Sequence, residues 1–350
     1  DANLAALFLG PDGAALAPGA VLKQIELAAV LAQIRVRGAS DLYAGQSART
    51  FLEGAAEAGA LLTLADLRAY APAWSDTLSL ELAGEQIHVV PGVASGGVVA
   101  GQLWAMLAED PRYLGGDESA RAHLFAEASA RAYGDQANAA ANPLSVFRAQ
   151  TLMSDVSMTA KTAFAGGGLT PKVSAEDAGA TGFVVTDRNG SVVACTLTMG
   201  RAFGVGRTAR PTGIILSPTP KDVETESMLA PVLVLRPEIP GVALAGAAGG
   251  PAGPAAIAGL LLGVQSCGLE AALAAPRLVH QGAPDQVLME ARATPGQREG
   301  LSQRGHRIRE FLSLGLVNGM TCGFGAEGQR TCLLAADPRG GGWAAGGTKP

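Results

Sequence analysis

The sequence predicts a layered domain of the mixed α/β (α+β) kind, with helices packed over an antiparallel sheet. Three observations lead there. The 350 residues are 48% apolar and 16% charged, enough for a sizeable core and too apolar for a disordered chain. Apolar residues recur at helical spacing through the first part of the chain. Beyond Thr170-Pro171 the pattern changes to β-branched runs joined by turn residues, with helical stretches between them.

The first helix is expected over residues 20–34, where Leu27, Leu31 and Ile34 share one face and Gly38 follows as a stop. Residues 49–58 and 65–70 continue in that style, and a β-pair at 77–82 and 86–90 turns at Gly84. Helical spacing returns at 98–108 and 119–135, the second with Leu124, Ala128 and Ala132 in step. Residues 182–186 and 191–198 are β-branched and flank Asp187-Arg188-Asn189-Gly190, and Asn-Gly between such runs is a strong hairpin signal. Further strands fit 213–217, 231–235, 242–246, 286–289 and 333–336, and helices fit 255–264, 269–274 and 294–303. Residues 166–171 read as an exposed linker and Gly340-Gly341-Gly342 as a flexible end. The expected organisation is a mostly helical region, 1–170, and a strand-rich region, 171–350, together one compact domain.

Charge and cysteine content narrow the function. Lys and Arg number 26 against 31 Asp and Glu, so the net charge of -5 provides no footprint for nucleic acid. The longest apolar run, 255–264, is broken by Gly259 and Gly263 and is too short to span a membrane. The chain opens at Asp1 without Met or an apolar leader, which leaves a removed signal and a longer upstream segment both open. Cys195, Cys267, Cys322 and Cys332 form no CxxC pair. The histidines His88, His123, His280 and His306 lie far apart, so no metal site and no cofactor is expected. The runs 320–322 and 330–334 form a candidate hairpin bringing Cys322 near Cys332; a disulfide in an oxidising compartment and two free thiols both fit. Ser95 lacks the Gly-x-Ser-x-Gly elbow and reads as a helix cap, while Asp66 and Glu53 read as solvated faces.

The order of motifs carries more. Residues 182–198, then Phe203-Gly204-Val205-Gly206 and Pro211-Thr212-Gly213-Ile214-Ile215-Leu216, resemble the start of the small subunit of the gamma-glutamyltransferases. Met228-Leu229-Ala230-Pro231, Gly246-Ala247-Ala248-Gly249-Gly250, the 275–281 stretch and Asp337-Pro338-Arg339 follow in that family's order, and Pro91 to Gly97 matches in the helical half. The resemblance implies an αββα four-layer sandwich of the N-terminal-nucleophile hydrolase type. Such a chain cuts itself, and the freed Thr attacks a gamma-glutamyl amide with its own α-amine as base.

Carried over residue by residue, the resemblance assigns the nucleophile position to Ala180, which has no hydroxyl. A Thr-Thr-His start is replaced by Ala180-Thr181-Gly182. Thr198 matches the Thr that contacts the nucleophile, Gly249 and Gly250 match the oxyanion pair, and Asp222 and Ser227 match substrate-binding positions. Gly200, Thr219 and Met228 depart from the family's pattern. The resemblance thus implies an uncleaved pseudoenzyme with a binding or assembly role, a protein partner and an extracytoplasmic, periplasmic-type location. The alternative is an active gamma-glutamyl hydrolase or transpeptidase for glutathione-type substrates, self-cleaved before Thr181. On a strand, however, a shift by one residue turns the side chain to the opposite face.

Overall fold

The computed structural model describes residues 1–91, 96–135, 144–162, 179–219, 228–325 and 328–346. The chain divides into two compact units, Asp1–Trp74 with Met199–Asp222, and Ser75–Thr198 with Val223–Pro350. Each draws on both sequence regions, so the change of period near residue 170 divides the sequence and not the units.

The first unit opens with α1 (Ala2–Phe8), α2 (Ile25–Arg37), α3 (Ser40–Ala44), α4 (Gln46–Glu57) and α5 (Leu64–Ala69). The Asp1 carboxylate caps α1 by accepting the amides of Asn3 and Leu4. Thr63 and Asp66 form a reciprocal capping box on α5, so Asp66 is exposed but structurally occupied. The helix expected at 20–34 forms as α2, yet it buries none of its residues and Leu31 is 58% exposed. Periodicity located this helix and misjudged its face.

The chain then enters the second unit through β1 (Leu78–Leu82), β2 (Glu85–Val89), α6 (Gly96–Leu107), α7 (Pro111–Leu114), α8 (Glu118–Gly134), α9 (Val146–Met153), β3 (Ala180–Thr186) and β4 (Val192–Thr198). It returns to the first unit for β5 (Thr208–Ala209) and β6 (Ile214–Ile215). It finishes in the second with β7 (Ala230–Arg236), β8 (Ile239–Gly249), α10 (Gly253–Cys267), α11 (Leu269–Ala274), β9 (Leu278–His280), β10 (Val287–Glu290), α12 (Pro295–Gln303), β11 (Ile308–Phe311), β12 (Leu316–Phe324) and β13 (Arg330–Ala335).

Six antiparallel strands, in the order β1-β2-β7-β8-β12-β13, form the central sheet. One face buries Val232, Val234, Leu244 and Val317 against Leu103 and Trp104 of α6 and Ile257 and Leu260 of α10. Leu124, Ala128 and Ala132 of α8 join this core, as their spacing predicts. The other face packs Ala245, Met320 and Cys322 against Val184, Val192 and Ala194 of the β3–β4 hairpin. Cys322 and Cys332 stand opposite in the β12–β13 ladder and are disulfide-bonded, which resolves the open pair. Within this unit the described residues make three layers, helix, sheet and hairpin, of the four expected. The hairpin's outer face carries Phe183, Val185, Val193 and Leu197, all exposed.

Three motif residues and Glu290 of β10 hold the C-terminal return in place. Arg277 Nη1 lies 2.7 Å from Asp337 Oδ2, and Arg339 Nε bonds Glu290 Oε1 at 2.5 Å, with all four groups at least nine-tenths buried. Burial would raise the Glu290 carboxyl, but hydrogen bonds from Arg339 and from the Leu314 and Arg277 amides hold it at about 2. The proposed linker at 166–171 lies outside the described residues.

Candidate active site

The β3–β4 hairpin places the residues that the resemblance singles out. Its turn is closed by Asp187, whose Oδ1 accepts the amides of Asn189 at 2.8 Å and Ser191 at 2.9 Å, while Gly190 takes φ 88°. That register sets Ala180 opposite Thr198, Thr181 opposite Leu197 and Gly182 opposite Thr196.

Ala180 faces β8. A Cβ added to Gly249 would fall 2.6 Å from the Ala180 Cβ, so the methyl rests directly on the glycine backbone. The Thr198 hydroxyl donates to the Gly179 carbonyl at 2.9 Å, the carbonyl of the peptide bond that enters residue 180. Ala180, Thr198 and Gly249 are therefore brought together at the start of the hairpin and the end of β8. Gly250 follows at φ 81°, a conformation that favours glycine, and leads into α10. The Met228 backbone lies beside the start of α10, where a Cβ on Gly253 would sit 3.4 Å from the Met228 carbonyl oxygen.

Thr181 and Gly182 behave as alternate residues of a strand should. Thr181 is exposed on the same outer face as Phe183 and Val185, away from Gly249. Gly182 is buried against β8, where an added Cβ would lie 2.5 Å from the Ala247 carbonyl oxygen and 2.7 Å from its carbon. Asn318 Nδ2 donates to the Gly182 carbonyl at 2.7 Å while its Oδ1 accepts the Asp337 amide at 3.2 Å, fastening β3 to β12. No motif marked Asn318 in the sequence, and its role follows only from the crossing of the two layers.

Asp222, Ser227 and Ser95 lie outside the described residues. Gly200, at φ 75°, and the exposed Thr219 belong to the first unit. Ala180, Thr198, Gly249 and Gly250 offer a methyl, one engaged hydroxyl and backbone amides, with no nucleophile at position 180 and no metal-binding set among these four.

Helices over a sheet with a second β-layer on its other face, and position 180 where the layers meet, define the N-terminal-nucleophile hydrolase class of fold. A solved structure of a cephalosporin acylase from Bacillus halodurans superposes with a TM-score of 0.72 over 95% of this chain and 64% of that one, at 20% identity. The family model for gamma-glutamyltranspeptidase matches residues 1–347, and the chain belongs to that family. It is 24% identical to the glutathione hydrolase proenzyme of Escherichia coli K12 over 94% of its own length, and 23% identical to the glutathione hydrolase of Aspergillus flavus over 87%. The chain spans 62% and 58% of those two relatives.

Proposed function

We propose that this chain is a catalytically silent gamma-glutamyltransferase-like pseudoenzyme, retained for binding or assembly with a protein partner. The observation that carries the reading is the Ala180 methyl seated on Gly249, at the position the family resemblance gives to the attacking hydroxyl. Two further features support it. Thr181, the nearest substitute nucleophile, stands on the opposite face of β3. The backbone at Gly182 leaves no space for a side chain where the family pattern has His. What persists around Ala180 is what the fold itself requires, the glycine pair and the Thr198 bond to Gly179. The disulfide between Cys322 and Cys332 supports an oxidising, extracytoplasmic setting.

The test is a denaturing gel of fresh protein together with a chromogenic gamma-glutamyl amide. One band at the full mass and no release of chromophore are expected. Two fragments divided near residue 180, with turnover, would establish the alternative: a gamma-glutamyl hydrolase or transpeptidase that uses Thr181 on glutathione-type substrates.

A further inference from the structure

The fold brings together two histidines that are 183 positions apart in sequence. His123 of α8 and His306, in the turn between α12 and β11, place Nδ1 and Nε2 2.9 Å apart. His123 Nε2 lies 2.6 Å from the Ser157 carbonyl, which only accepts, so that nitrogen carries the proton and Nδ1 presents a bare lone pair. Glu127, one turn further along α8, sets Oε1 3.7 Å from His306 Nε2. The three donor atoms lie within 4.8 Å of one another and all three residues are buried.

A four-coordinate ion with bonds of about 2.0–2.1 Å holds its donors about 3.3 Å apart, and the 2.9 and 3.7 Å separations fall on either side of that figure. The His123 proton given to a backbone carbonyl is also the usual way a metal-bound imidazole is oriented. His306 Nδ1, the ring nitrogen turned away from the other two donors, is buried with no partner among the described residues, and Glu127 Oε1 accepts the Thr162 amide at 3.0 Å while keeping a second lone pair. The nearby cations already have acceptors: Arg131 bonds Glu127 Oε2 and Asp155, Lys161 pairs with Asp285, and Arg304 donates to Met158 and Ser119. Their charge lowers affinity for a dication without blocking the His123, Glu127 and His306 donors.

We propose that His123 Nδ1, His306 Nε2 and Glu127 Oε1 form a site for one zinc-like divalent cation, with a fourth position open. The site is independent of the chemistry at position 180.

The test is calorimetry and equilibrium dialysis of the tag-free chain with Zn²⁺, and visible spectroscopy with Co²⁺. One zinc per chain, removable by a chelator, and a four-coordinate Co²⁺ spectrum displaced by Zn²⁺ are expected. His123→Gln and His306→Gln should each weaken binding by more than about tenfold, while His88→Gln, on β2, should leave it unchanged. Absence of stoichiometric zinc, or zinc retained by both folded variants, overturns the proposal. If the variants fail to fold, the Co²⁺ spectrum of the unaltered chain decides, and a six-coordinate spectrum rejects the site.

Discussion

Gly182 shows how a single residue can be fixed by its neighbour's backbone. Its missing side chain is a packing requirement, since the nearest atoms are the carbonyl group of Ala247 and cannot rotate away. Gly182→Ala should push the hairpin off β8 and cost about 1–3 kcal/mol in chemical denaturation. Ala180→Thr, by contrast, adds to a Cβ that is already accommodated, so the protein should stay folded. The same variant should remain without turnover on a gamma-glutamyl amide, and activity at a family-like rate would show that the other departures matter little. The positions were legible in the sequence through the unbroken register from Asp187 back to Ala180. The reason for glycine at 182 was not, because it lies in strand β8, which no local pattern connects to β3. Arg339 is a second such case: read as part of a motif, it holds buried Glu290, and Arg339→Ala should cost about 3 kcal/mol by removing the more buried of that carboxylate's two guanidinium partners.

Elements were legible where a short stretch carries its own period or turn. The β3–β4 hairpin announced itself through Asn189-Gly190, and α8 through Leu124, Ala128 and Ala132, all of which are buried. α2 marks the limit, because helical spacing says which residues share a face but not whether anything covers it. The meeting of His123 with His306 was equally invisible, being set by the packing of α12 on α8. The β12–β13 hairpin lies between these cases: its turn was readable, and the disulfide depended on the ladder register that sets Cys322 opposite Cys332. Replacing both cysteines with serine should lower stability by about 2–3 kcal/mol, measured against the oxidised chain in urea.

At the scale of the whole molecule, acid should act first on buried histidines and then on buried carboxylates. Glu290 titrates at about 2 in the folded chain against 4.5 for an ordinary glutamate, and Asp337 is lowered too because the Arg277 guanidinium and the amides of Arg339 and Val317 outweigh burial. Between those values the unfolded chain binds more protons, so the contribution of these two carboxylates should be level above about pH 4.5 and fall as pH drops toward 2, while His123, His280 and His306, which burial holds below the ordinary imidazole range, start the loss as pH falls through about 6.5. Up to about 3 kcal/mol of that loss belongs to Glu290, and urea midpoints across the range will measure it. The order of the central sheet has one more consequence, for how the protein is made. Its β8 edge is complete once Gly249 has left the ribosome, but the strand that covers that edge begins only at Leu316, and Arg339 comes later still. Translation takes several seconds over that interval. During that time an apolar sheet waits with one open side, so the nascent chain is most exposed to off-pathway pairing in the interval before Leu316 emerges.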